Sequence, residues 1–161
     1  MRRSTMLAAV IAGVAAAMFF AGIQGRARAH CEVPCGIYDD HARIRQMLED
    51  TSTIEKAVAQ IAALAGQHDA QAFNQAARWV ATKEDHATSI QHTIAQYFMT
   101  QRIKADDEKY VPKLTAAHAV LVQAMKCKQV ANVEQADALR AAILAFYEAY
   151  EGKKPQEHEG G

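Results

Sequence analysis

Cysteine and proline are scarce in this sequence, and each shortage limits the class of protein. Only three cysteines occur in 161 residues, namely Cys31, Cys35 and Cys127. An odd and small number argues against a fold held together by disulfides. Three prolines and eight glycines leave long stretches without a helix breaker. Since Ala, Gln, Lys and Glu are plentiful, the composition favours helix over sheet.

A surplus of positive charge is also missing. The whole chain carries 18 basic and 18 acidic residues. Four of the basic residues (Arg2, Arg3, Arg26 and Arg28) precede residue 30, and no acidic residue does. From residue 30 onward, 14 basic residues therefore face 18 acidic ones, a net charge of about −4. This balance points to no nucleic-acid partner.

The first 29 residues have the layout of a secretory signal peptide. Basic residues open the segment, Leu7 to Phe20 follow without a charge, and Ala27-Arg28-Ala29 forms an A-x-A cleavage site. We predict that residues 1–29 are a cleaved signal peptide. Cleavage between Ala29 and His30 would give an exported protein, periplasmic or extracellular.

Two other interpretations of this segment stay open. The Arg2-Arg3 pair loosely matches a twin-arginine export signal, so the export route is not decided. Extended to Ile23, the apolar run has 17 residues, the lower end of the membrane-spanning range. In that case the segment would be a retained anchor on a helical scaffold, and His30 would have no free amine.

The rest of the chain is long enough for one domain with one core. Residues 30–38 show no helical period, residues 39–151 contain four amphipathic segments, and residues 152–161 form a flexible tail. Asp39 or Asp40, Asp69 and Asn132 are expected to cap helices, and Pro112 suits a first helical turn. The sequence predicts an all-α fold, an antiparallel up-and-down four-helix bundle with an irregular N-terminal metal-binding hook.

The spacing of apolar residues by three and four predicts which side of each helix faces the core. Cys127 should pack as a small apolar residue, and His118 should be a hydrogen-bonded core histidine. The predicted core positions, helix by helix, are Ile44, Met47, Thr51, Ile54, Val58, Ile61 and Ala65; Phe73, Ala76, Val80, Ala87, Ile90, Ile94 and Tyr97; Val111, Leu114, His118, Leu121 and Met125; Ala136, Leu139, Ile143, Phe146 and Tyr150.

The residues that follow the cleavage site carry the chemistry. Cleavage would give His30 a free amine, which can form a chelate ring with the amide nitrogen of Cys31. The thiolates of Cys31 and Cys35 add two further donors, and the His30 imidazole can approach axially. Nitrogen and thiolate donors in a plane suit Ni(II) or Cu(II), whereas zinc prefers a tetrahedron. The residues alone leave nickel and copper open.

The segment His30-Cys31-Glu32-Val33-Pro34-Cys35-Gly36-Ile37-Tyr38 resembles the nickel hook of the nickel superoxide dismutase family. The similarity covers most of residues 30–151 and includes Arg78 to Glu84 and Tyr97-Phe98. It implies a homohexamer of four-helix bundles with one nickel ion per subunit. It also implies disproportionation of superoxide to oxygen and hydrogen peroxide as the metal cycles between Ni(II) and Ni(III).

The resemblance also implies roles for particular residues. His30, Cys31 and Cys35 would be the metal ligands, and Tyr38 and Tyr97 would limit access to the metal and order water. Family members orient the axial imidazole with a glutamate on the first helix and an arginine on the second. Here Arg45 and His86 stand at or near those positions, so either these partners differ or the register is shifted by one residue, and the two roles are not carried over.

The sequence also leads to expectations about cleavage of the chain before His30 and about delivery of nickel. A maturation peptidase would create the ligand amine, and a nickel chaperone is an expected partner; whether nickel is loaded before or after export is not decided by the sequence. The alternative function is a non-enzymatic exported nickel- or copper-binding helical protein. It would use the same ligands without turnover.

Overall fold

The computed structural model describes residues 39–153, which form helices joined by short links. The elements are α1 (Asp40–Leu64), α2 (Ala70–His92), a π-helical segment (Thr93–Arg102) that continues α2, α3 (Tyr110–Gln129) and α4 (Val133–Glu151). The described part of the chain contains no strand. The predicted all-α class is confirmed. The predicted signal peptide, hook and tail beyond Lys153 lie outside the described residues.

Side-chain caps begin three of the helices as the sequence predicted. The carboxylates of Asp39 and Asp69 accept hydrogen bonds from the backbone N–H groups of His41 and Ala72, and Asn132 caps α4 in the same way. These bonds satisfy N–H groups that have no partner within the helix. Helix α4 ends at Gly152, whose φ of 74° lies in the left-handed region that glycine adopts without strain.

The helices pack as a ring in which each contacts its neighbours in sequence, and α4 closes back on α1. Hydrogen bonds give the directions: Gln91 of α2 donates to the carbonyl of Leu121 at 3.2 Å, and Lys83, about two turns earlier, reaches the end of α3. Gln123 of α3 meets Gln135 at the start of α4 at 2.8 Å. Consecutive helices are therefore antiparallel, which confirms the up-and-down bundle.

The buried faces of α1 and α4 agree with the predicted pattern, except that Ala65, just after α1, is exposed. The later part of α2 and the segment that continues it also agree, since Ala87, Ile90, Ile94 and Tyr97 are buried.

The first half of α2 and much of α3 differ from the prediction. Phe73 is 62% exposed, Val80 42%, Val111 67% and Met125 41%, and His118 is exposed as well. The predictions for these residues were wrong. In α3 the buried positions precede or follow the predicted ones by one to three residues: Ala117, Val120, Ala124 and Cys127. The mismatch arises because alanines occur on several sides of these helices, and a neighbouring helix can pack closely against any of them. The spacing of the larger apolar residues therefore does not identify the buried side.

No helix among residues 39–153 combines the length and the hydropathy needed to cross a bilayer. The apolar segment from Leu7 to Phe20, on which the anchor interpretation depends, lies outside that range.

A buried lysine joins α2 to the end of α3. Lys83 is 3% exposed, and its ammonium group donates to the carbonyls of Cys127 at 2.6 Å and Lys128 at 2.8 Å, and to Glu84 at 3.0 Å. The last carbonyls of a helix have no partner within it, and a cation at this end is also favoured by the helix dipole. Lys83 therefore caps α3 from a neighbouring helix.

Replacing Lys83 with methionine should lower the free energy of unfolding by about 1–3 kcal/mol, because buried carbonyls would lose their donor. Lys126→Met is the matched control, since this lysine lies in the same last turn of α3 but is exposed; its effect should stay within about 0.5 kcal/mol. Urea unfolding followed by circular dichroism measures both. Equal effects from the two substitutions would contradict the capping role.

Candidate functional site

The predicted site residues fall almost entirely before the first described residue. His30, Cys31, Cys35 and Tyr38 lie outside residues 39–153, so their predicted roles stay predictions. Tyr97 is described: it lies in the π-helical segment and is 7% exposed. What surrounds Tyr97 therefore defines the end of the bundle to which the hook is attached.

Tyr97 is hydrogen bonded to Asp40, the first residue of α1. One carboxylate oxygen of Asp40 accepts from the Tyr97 hydroxyl at 2.5 Å. The other accepts from the Tyr150 hydroxyl at 2.7 Å and from Arg102 Nη2 at 2.6 Å and Nε at 3.1 Å. We call these four residues the Asp40 cluster. It joins the start of α1 to the end of the π-helical segment and to the last turn of α4.

The π-helical segment brings Tyr97 and Arg102 to the same side. In a π-helix the hydrogen bonds run between residues five apart, so such residues stack one turn above the other. The side chains of Thr100 and Gln101 follow this spacing, donating to the carbonyls of Ala95 and Gln96 at 2.8 and 3.3 Å. Tyr97 and Arg102 are also five apart. In an α-helix the two side chains would diverge, and Asp40 could not bind both.

An aromatic group supports the cluster from the core. The Phe98 ring lies 5.1 Å from the Tyr97 ring, 4.9 Å from Phe146 and 5.2 Å from Tyr150, each in an edge-to-face arrangement. Phe98 and Phe146 are fully buried. Such pairs restrict ring orientation beyond what area burial alone does, so the hydroxyls of Tyr97 and Tyr150 are held towards Asp40.

The charges of the cluster are mutually stabilising. Burial raises the pKa of Asp40, but hydrogen bonds from Arg102, Tyr97 and Tyr150 outweigh it and hold the pKa below its usual value. Burial, and then the hydrogen bond to Asp40, raise the pKa of Tyr97 to about 12. The same causes raise the pKa of Tyr150, and the hydrogen bond to Asp40 raises that of Arg102. At neutral pH the cluster therefore holds one carboxylate, one guanidinium and two neutral phenols.

The two residues that depart from the resembled pattern lie elsewhere. Arg45 is exposed and has its guanidinium 3.9 Å from the Asp39 carboxylate. His86 lies on α2, where its Nδ1 is 2.7 Å from Asp50, a buried carboxylate that also accepts from Ser89 at 2.9 Å. The ion pair of Arg45 thus ties α1 to its own start, and the hydrogen bond of His86 ties α1 to the middle of α2. Neither residue is part of the Asp40 cluster.

Cys127 packs in the core, as predicted. Its thiol is 2% exposed and donates to the carbonyl of Gln135 at 3.2 Å. Burial raises the pKa of this thiol to about 11, although the nearby charge of Lys83 acts in the opposite direction. A protonated and enclosed thiol is a poor metal ligand, so Cys127 is not suited to bind a metal.

Sequence reasoning found Tyr97 but missed its partners. The sequence predicts only a capping role for Asp40 and a core position for Tyr150, and it assigns no role to Arg102. The adjacent pair Asp39-Asp40 carried a usable signal, because one carboxylate is enough to cap a helix and the second then needs another partner. Asp39 is the cap, and Asp40 turns to Tyr97.

The comparison with protein families decides the identity. The sequence model described as nickel-containing superoxide dismutase matches residues 25–154, well over half of the chain. The chain belongs to this family. It is thus a nickel-dependent superoxide dismutase, an oxidoreductase whose substrate is superoxide. Neither the curated proteins nor the solved structures gave a match.

The residues of this dismutase fit a nickel cofactor. Among residues 39–153 no three histidine, cysteine or acidic side chains come together in a way that could hold a metal ion. Since Cys127 is enclosed, the thiols left for nickel are those of Cys31 and Cys35. The family match includes both, together with His30. Thiolate and nitrogen donors are suited to nickel.

Proposed function

We propose that this dismutase is an exported enzyme whose nickel is held at a processed N-terminus. The observation that carries the proposal is the joint presence of a family match over residues 25–154 and an intact His30-Cys31 pair directly after an A-x-A site. Cleavage between Ala29 and His30 makes the amine that the metal site uses. Signal peptidase or a dedicated maturation peptidase performs it, and a nickel chaperone supplies the metal.

The ligands are His30, Cys31 and Cys35. His30 would contribute its amine and its imidazole, Cys31 its amide nitrogen and thiolate, and Cys35 its thiolate. When bound, nickel supplies one-electron chemistry between Ni(II) and Ni(III), which the anionic thiolates make accessible by donating electron density. Two superoxide ions and two protons become one molecule of oxygen and one of hydrogen peroxide.

Tyr38 and Tyr97 limit access to the metal and order water beside it. The position of Tyr97 supports this role, because Tyr97 binds Asp40, and Asp40 is only five residues after Cys35. A segment of that length spans at most about 18 Å. Covalent geometry therefore limits the backbone separation of Cys35 and Asp40 to that distance.

The enzyme assembles as a homohexamer. Exposed apolar side chains support assembly: Phe73 and Val80 are 62% and 42% exposed and lie seven residues apart on α2, which puts them on one side of that helix. Large apolar residues that share a side and stay exposed in the monomer are typical of surfaces that contact another chain.

The test is a set of measurements on the purified mature protein. N-terminal sequencing should begin at His30, metal analysis should give about one nickel per chain, and superoxide disproportionation should be catalytic. Sedimentation should give the mass of six chains. A chain that begins at Met1, or one that binds nickel without turnover, would overturn the proposal; in the second case the alternative of a non-enzymatic metal binder would hold.

A further inference from the structure

We propose that Asp40 is a positioning residue of the dismutase, which holds the Tyr97 hydroxyl with its proton directed at the carboxylate and so excludes Tyr97 as a proton donor to reduced dioxygen. The inference rests on the proposed function, in which Tyr97 lies beside the metal. It concerns which group supplies protons, a question that the family assignment leaves open.

The direction of the hydrogen bond follows from the chemistry of the partners. An ionised carboxylate has no proton to donate and can only accept. The Asp40 carboxylate accepts from Tyr97, Tyr150 and Arg102, and the charge of Arg102 at 2.6 Å keeps it ionised. The Tyr97 hydroxyl must therefore be the donor in its 2.5 Å bond to Asp40. Its single proton is committed to that bond.

A short bond to a charged acceptor is costly to break. Charge-assisted hydrogen bonds are roughly twice as strong as those between neutral groups, and the Asp40 side chain is only 14% exposed. Transfer of the Tyr97 proton to reduced dioxygen would leave a phenolate against the Asp40 carboxylate. Two like charges at hydrogen-bond distance oppose that step. The two protons that the reaction consumes then come from groups other than Tyr97.

Other charged groups near Tyr97 act on it more weakly. Arg102 lies 5.9 Å above the Tyr97 ring, and the charges of both Arg102 and Arg43 favour its ionised form, yet they do not offset burial and Asp40. From α3, Lys113 lies 5.2 Å from the Tyr150 ring, and it pairs with Asp107 at 2.5 Å. Beside the cluster on the same end, His41 contacts the Tyr147 hydroxyl at 3.3 Å and Glu151 at 3.9 Å.

The test compares Asp40→Asn with the wild type, both as mature nickel-loaded protein. Asparagine keeps the size of the side chain and removes the charge. Tyr97 should then ionise at a pH lower by about one unit, measured from the ultraviolet absorbance of phenolate. A phenolate repels superoxide, so the rate of disproportionation at alkaline pH should fall at a correspondingly lower pH. Other side chains also lose protons at alkaline pH in every variant. The effect of Asp40 is therefore measured as the difference between the pH–activity profiles of Asp40→Asn and the wild type.

Two further variants make the assignment specific. Tyr150→Phe removes another donor from the same carboxylate but keeps the bond between Asp40 and Tyr97, so its profile should match the wild type. In Asp40→Asn/Tyr97→Phe the shift should vanish. If Asp40→Asn alone is too unstable to purify, Asp40→Asn/Arg102→Gln replaces both charges, since removing a charge pair costs less than stranding one partner. It is compared with Arg102→Gln, because loss of the Arg102 charge by itself opposes the expected shift.

The results separate the inference from the function. Wild-type protein without nickel or without turnover contradicts the proposed function. Active wild-type protein whose profile coincides with that of Asp40→Asn contradicts the role of Asp40, and so does a shift that persists without the Tyr97 hydroxyl. A solvent isotope effect that disappears in Tyr97→Phe would also overturn the inference, because it would identify Tyr97 as the proton donor.

Discussion

Replacing Cys31 or Cys35 with serine should reduce dismutase activity by more than about 100-fold. Loss of groups that merely orient metal ligands already costs about 10–100-fold, and here a ligand itself is lost. A serine hydroxyl stays protonated at neutral pH and donates far less electron density than a thiolate, so Ni(III) would lose its stabilisation. Nickel content and superoxide disproportionation, measured on each purified variant, check the expectation.

Cys127→Ser is the matched control, because it makes the same chemical change in the same chain. Cys127 is 2% exposed and donates to the Gln135 carbonyl, and a hydroxyl can keep that bond. Its nickel content and activity should equal those of the wild type. Activity that survives Cys31→Ser or Cys35→Ser, or that is lost equally in Cys127→Ser, would contradict the assignment of nickel to the hook thiolates.

One additional glycine ahead of His30 should lower activity by roughly 10–100-fold or more. The amine of His30 would become a peptide nitrogen, which lacks the basic lone pair of a free amine and could bind the metal only after losing its proton. The extra residue leaves every side chain in place, so both thiolates and the His30 imidazole stay available. Disproportionation rates per bound nickel, compared between the extended and the mature protein, isolate the contribution of the free amine.

A chain with the same glycine added after Gly161 controls for expression and for length. It should behave as the mature protein does. Equal activity in the two extended chains would show that the free amine is not a ligand, and cleavage at Ala29 would then serve export alone. Failure of the N-terminal extension alone confirms that processing is part of making the active site.

The sequence predicted the parts of the fold that depend on local chemistry. Asp39, Asp69 and Asn132 cap helices because each can satisfy backbone N–H groups within its own turn, a relation visible in a few residues. The core side of α4 was predicted correctly because large residues such as Leu139, Ile143 and Phe146 lie on one side only. The family was also predicted correctly, because the hook motif is a short, contiguous segment that is visible in the sequence itself.

What the sequence did not predict depends on contacts between distant residues. The core side of α3 was misassigned because alanines occur around the helix, and which of them is buried is decided by the neighbouring helices. The Asp40 cluster joins residues 57 to 110 positions apart. Its geometry also requires a π-helix, and the sequence from Thr93 to Arg102 carries no spacing that distinguishes five-residue from four-residue hydrogen bonding.

The enclosure of Cys127 has a consequence for oxidation during maturation. Three cysteines allow three pairings, and two of these include Cys127. In the folded bundle, the thiol is covered and protonated, so a disulfide to it can form only before the helices pack. Folding ahead of exposure to oxidant thus leaves a single pairing, that between Cys31 and Cys35. A disulfide that closes so short a loop can be opened by a reductant. A nickel ion that binds the reduced pair of thiols also prevents the disulfide from forming again.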